Sequence, residues 1–176
     1  MNLTIASACG TAATELAAFD DALLRIGAAN YNLVRLSSVI PPASTITEHD
    51  GPVPWPGGEW GDRLYVVYAE QRASTPGEAA WAGVGWVRDD ITGRGLFVEH
   101  EGHSEAAIRD AITASLTQLQ AGRGVRLGPI HMKVTGTVCT DRPVCALVLC
   151  AYTTEPWNTP PTRAHKAPLE LASACS

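Results

Sequence analysis

The alternation of apolar and polar positions sets out most of the chain as helices and strands. Residues 2–8 alternate with a period of two and predict a first strand. Thr14 stands at an expected helix N-cap. After it, Leu16, Phe19, Leu23 and Ile26 recur at three- and four-residue spacing, predicting a helix that ends near Gly27. Asn32 to Leu36 predicts a strand running straight into Ser37-Ser38. Further strands are expected at 63–69, 79–88 and 94–99, the second of them rich in small residues that suit close packing. Ser104 is the expected cap of a second helix, with Ile108, Ile112, Leu116 and Leu119 on one face and a stop around Gly122-Arg-Gly124. Strands at 129–138 and 144–152 complete the pattern. Between Pro41 and Gly61, five prolines and several glycines predict a long irregular loop of the kind that carries function or moves. Two helices and about seven strands in this order predict an α+β layered fold.

Composition narrows the function classes. A chain of 176 residues, 45 % hydrophobic and 18 % charged, fits one globular domain. That domain is expected over 1–155. The stretch 156–176, rich in Pro, Thr, Ala and Ser, is expected to be a loose tail. The net charge is −5 and the 13 Lys and Arg are scattered, so no nucleic-acid partner is expected. No apolar run approaches the roughly 18 residues of a membrane span. The first residues lack the charged and apolar regions of a signal peptide, so a cytoplasmic location without membrane attachment is expected.

Candidate binding motifs add little. Cys9, Cys139, Cys145, Cys150 and Cys175 are odd in number and show no ligand spacing, which predicts reduced thiols. Cys145 and Cys150 fall on opposite faces of one strand and are expected in the core. His100 and His103 depart from HExxH and fall where a strand gives way to a turn, so no metal site is expected. Gly83-Val-Gly85 lies inside a strand with no helix behind it, which does not support a nucleotide site. Most of the tryptophans are expected in the core or at interfaces; Trp55 and Trp60, in the long loop, are candidate pocket linings.

The segment Asn32-Leu-Val-Arg-Leu-Ser-Ser-Val-Ile-Pro-Pro42 carries the chemistry. A serine pair between a strand and a Pro-Pro turn can simply end the strand, its hydroxyls satisfying the turn. It also permits a reaction. A serine Oγ can attack the carbonyl of the preceding residue and move the acyl group from N to O. The ester can then eliminate to dehydroalanine, which hydrolyses to a pyruvoyl group at a new N-terminus. Such self-attack needs an oriented, strained peptide and donors for the oxyanion, and a strand running into a rigid turn can supply that geometry.

Several segments together resemble the pyruvoyl-dependent arginine decarboxylase family over about residues 3–152. They are Ala18-Phe-Asp-Asp-Ala-Leu-Leu24, Asn30 to Pro42, Thr75-Pro-Gly-Glu78, Gly95-Leu-Phe-Val-Glu-His-Glu-Gly102, and the strand ending Cys145-Ala-Leu-Val-Leu-Cys-Ala. The resemblance implies an αββα sandwich, assembled as a homotrimer or a dimer of trimers with active sites between subunits. It implies self-cleavage between Ser37 and Ser38 into chains 1–37 and 38–176, the second beginning with a covalent pyruvoyl cofactor derived from Ser38. That group would form a Schiff base with a small amino-acid substrate. Glu99 would be the proton donor, and Asn32 would assist cleavage and substrate geometry. Asp20 would meet the substrate guanidinium, and Leu23 would pack on its methylene chain. The implied reaction converts L-arginine to agmatine and CO₂, as in polyamine biosynthesis. The alternatives are a decarboxylase of another amino acid and an unprocessed assembly or binding subunit. Loop 51–61 and the tail lie outside the resemblance.

Overall fold

The structure, a computed structural model, describes residues 1–53, 55 and 57–157; of the tail expected over 156–176, all but the first two residues lie outside them. Both helices form where their caps place them. In α1 (Glu15–Ile26) the Thr14 hydroxyl accepts from the Ala17 N–H, and Gly27 closes the helix with φ +79°. In α2 (Glu105–Arg123) Ser104 caps the start and Gly124 the end. The strands are β1 (Asn2–Thr11), β2 (Asn32–Arg35), β3 (Val39–Ile40), β4 (Thr45–Asp50), β5 (Arg63–Ala73), β6 (Ala79–Arg88), β7 (Gly95–Gly102), β8 (His131–Val138) and β9 (Val144–Glu155).

These nine strands form two sheets, ordered β2-β5-β9-β1-β4 and β3-β7-β6-β8. The sheets face each other across a core that includes Leu3, Ile5, Val67, Val84, Phe97, Val148 and Cys150. Helix α1 covers the outer face of the first sheet over Leu64, Val66, Leu147 and Leu149. Helix α2 covers the second, packing Ile108, Ile112 and Leu116 on Val87, Leu96 and Val98. The layering is therefore α/β/β/α. Close approach of α2 depends on β6 glycines, because a Cβ at Gly85 would overlap the Ile112 side chain and one at Gly83 would come within 2.7 Å of Ile108 Cγ2.

Two expectations are corrected. The segment from Pro41 to Gly61 is not wholly irregular. Thr45 to Asp50 form β4, an edge strand paired in parallel with β1, and the Thr45 and Thr47 hydroxyls donate to Asn2 Oδ1 at 3.0 Å. Its partner is more than 40 residues away, so no local turn signals the pairing, and the flanking prolines conceal a short β-branched run. Among the described residues the strand count rises from about seven to nine, because β3, only two residues long, also pairs with β7.

Candidate active site

Strands β2 and β3 are consecutive in sequence yet lie at the edges of different sheets. The three residues between them, Leu36, Ser37 and Ser38, carry the chain from one sheet to the other. Leu36 is the last residue anchored to the first sheet, its N–H donating to Val66 O at 2.8 Å. Ser38 is the first anchored to the second, its carbonyl accepting from the Phe97 N–H at 2.8 Å. Its φ is +69°, a left-handed conformation that costs a non-glycine residue about 1 kcal/mol or more. The Ser37–Ser38 peptide bond thus enters a strained residue held on both sides by sheet hydrogen bonds.

The Ser38 hydroxyl meets the Glu99 carboxylate, with Oγ 2.8 Å from both Oε1 and Oε2. Phe97 and Glu99 share a face of β7 by strand alternation, the face turned toward the other sheet. Burial pushes the Glu99 carboxyl above its ordinary range. The Ser38 hydroxyl and the Arg35 guanidinium oppose that rise, and the Glu101 charge adds to it. Arg35 is held in place by a 3.0 Å bond to Tyr68 O and by stacking 4.8 Å over the Tyr68 ring.

Tyr152 secures the other side of the serine. Its hydroxyl donates to Val39 O at 3.1 Å, and its ring meets Phe97 edge-on at 6.2 Å. Burial, then the nearby Cys150 and Glu99, push its phenol well above the ordinary tyrosine range, so it remains a donor. Ser38 and Glu99 open into a cleft of about 450 Å³ between the free edge of β7 and α2, whose walls include His100, Ser115, Gln118 and Leu119. His100 Nε2 lies 2.9 Å from Ser115 Oγ.

Of the residues singled out in the sequence, the structure brings Ser37, Ser38 and Glu99 together. Asn32 lies at the start of β2, its side-chain amide bonded to Gly61 O, away from the cleft walls. Asp20 is exposed on α1, which packs over β1 and β9, and no α1 residue lines the cleft of the same chain. Leu23, expected beside the substrate, is 6 % exposed and belongs to the core under α1. Asp21 points elsewhere, as expected. It accepts from the Thr11 N–H at 2.8 Å and pairs with Arg25, and that backbone bond leads in holding its carboxyl below the usual range. Trp55 is buried, whereas Trp60 is exposed. His103 bonds Ala79 O rather than converging with His100. Arg35, Tyr152 and the Phe97 N–H carried no sequence signal, because each acts through a contact between elements distant in the chain.

A serine hydroxyl held against a part-buried carboxyl at a strained crossing narrows the choice of relatives, and the comparisons decide it. The family model for pyruvoyl-dependent arginine decarboxylase matches residues 2–156. The chain belongs to this family. A pyruvoyl-dependent arginine decarboxylase of Halobacterium salinarum is 35 % identical over 154 residues, covering 85 % of this chain and 92 % of the relative. One from Thermococcus kodakarensis is 32 % identical over 152 residues, covering 82 % and 90 %. The family's cofactor is a pyruvoyl group, which fits a serine hydroxyl already aimed at a carboxylate beside a strained peptide bond.

Proposed function

We propose that the chain cleaves itself between Ser37 and Ser38 and then decarboxylates L-arginine to agmatine and CO₂. One observation carries the reading: Ser38 Oγ sits 2.8 Å from both oxygens of a part-buried carboxyl, at the strained crossing between sheets. In the precursor Glu99 accepts the hydroxyl proton as Oγ attacks the Ser37 carbonyl carbon, and returns it to the departing Ser38 nitrogen. The pyruvoyl group formed from Ser38 supplies a carbonyl for the substrate amine and a sink for the electron pair left as CO₂ departs. Glu99 then delivers a proton to the carbon that lost CO₂. A carboxyl whose pKa burial raises suits both tasks, since its protonated form persists above the ordinary carboxylate range while its ionised form can still accept a proton.

Asp20 supports arginine as the substrate, a carboxylate being the natural partner of a guanidinium. It is exposed on the same helical face as Leu16 and Leu24, which are 68 % and 57 % exposed. An acid flanked by two exposed leucines suits docking on a neighbouring copy. Asp20 then reaches the neighbour's cleft, and the assembly is a homotrimer or a dimer of trimers. Leu23 serves there by fixing α1 from beneath, and Asn32 by holding the 57–61 turn to the start of β2. A cytoplasmic location is favoured by the free thiols of Cys9, Cys139, Cys145 and Cys150.

Intact mass under denaturing conditions tests the reading. The protein should separate into fragments 1–37 and 38–176, the second with a blocked N-terminus, and Ser38→Ala should remain one chain without decarboxylase activity. A purified protein that stays at 18.6 kDa after prolonged incubation would sink it.

A further inference from the structure

The bond from the Phe97 N–H to the Ser38 carbonyl extends the β3–β7 ladder by one residue, onto a residue whose own backbone has left the strand conformation. Ladder bonds usually only hold strands together. This one is aimed at an oxygen that takes part in the chemistry. Once Ser38 Oγ carries the acyl group of Ser37, the ester must lose the Ser38 Cα proton before residue 37 can leave. The electron pair of that C–H bond moves toward the Ser38 carbonyl, and charge collects on its oxygen.

We propose that the Phe97 backbone N–H is a catalytic donor for this second step of self-processing, a one-donor hole for the enolate oxygen of Ser38. The inference rests on the proposed cleavage at Ser37–Ser38. Glu99, the carboxylate facing Ser38, takes the Cα proton. The enolate pair returns to form the Cα–Cβ double bond and breaks the Cβ–Oγ bond, and residue 37 departs as a carboxylate. The resulting dehydroalanine takes up water and releases ammonia, leaving the pyruvoyl group. The N···O separation of 2.8 Å lies within the range that stabilises a developing oxyanion. Tyr152 is a positioning residue, because its bond to Val39 O holds the next peptide in register.

The test replaces the Phe97 amide by an ester (Phe97→phenyllactic acid), which deletes the N–H and keeps the side chain. Acyl transfer should proceed and the chain should stall as the Ser38 ester. Hydroxylamine, which also cuts the installed 96–97 ester, would then release a 38–96 fragment that begins with serine. Formation of the blocked chain should slow about 100-fold, the usual loss for one oxyanion donor. The matched ester at Leu96, whose N–H points to the other side of β7 by strand alternation, controls for a lost ladder bond and should process normally. Blocked-chain formation at the parental rate in the Phe97 ester would overturn the inference. So would a stall in which hydroxylamine cuts at the installed 96–97 ester and not between residues 37 and 38, which would place the N–H before acyl transfer or in folding alone. If the parent protein itself never cleaves, the underlying reading of the site fails instead.

Discussion

At the scale of single residues, the site is governed by one carboxyl. Burial raises the Glu99 pKa more than the Ser38 hydroxyl and Arg35 lower it, so the protonated form persists above the ordinary carboxylate range. Two measurements follow from the sign. Processing needs the ionised form to accept the Ser38 proton, so its rate should climb with pH through the raised Glu99 pKa and then level. Glu99→Gln should slow processing about 100-fold or more and abolish that dependence. A rate insensitive to pH in the parent protein, or unchanged in Glu99→Gln, would remove Glu99 from the reaction. Stability moves the opposite way. A carboxyl whose folded pKa lies above its unfolded one contributes fully below the unfolded value and loses that contribution as pH rises through the folded value. In the non-cleaving Ser38→Ala background, thermal stability should therefore fall over that interval relative to Ser38→Ala/Glu99→Gln. Parallel curves for the two proteins would contradict the assigned direction.

At the scale of elements, β3 and α2 fix the cleft by unlike means. Strand β3 has two residues, and its place beside β7 depends on few bonds, the Tyr152 hydroxyl to Val39 O among them. Tyr152→Phe keeps the ring against Phe97 and removes that bond. It should cost about 1 kcal/mol and raise amide exchange at Val39 and Ile40; unchanged protection there would show that the bond does not hold β3. Helix α2 instead depends on absent side chains. Gly85→Ala would drive a methyl into Ile112 and Leu116, at a cost of about 1–3 kcal/mol in denaturant unfolding. An unchanged midpoint would mean that α2 sits farther from β6 than described.

At the scale of the whole molecule, a single chain separates Asp20 from Ser38, and the proposal requires a neighbour to reunite them. Ser38→Ala and Asp20→Asn should each be inactive alone toward arginine. When the two are co-expressed, mixed assemblies contain sites with an intact Ser38 from one chain and an intact Asp20 from another, so part of the activity should return. No recovery in assemblies shown to be mixed would place each complete site within one chain.

The sequence by itself determined the helices with their caps, seven of the nine strands, the serine pair and the carboxyl it meets. Those features depend on local periodicity, on turn and cap chemistry, or on a short motif that a family resemblance makes readable. Only the tertiary structure decided that β4 pairs with β1 and that β3 belongs to the second sheet. It also turned Leu23 into the core and brought Arg35, Tyr152 and the Phe97 N–H around Ser38. The reason is physical. Edge pairing and the crossing between sheets depend on contacts across tens of residues, 113 between Val39 and Tyr152, and such contacts leave no period in the chain. The pattern of residues can name a reactive serine, but its left-handed backbone and the donors that surround it exist only once two sheets have closed on each other.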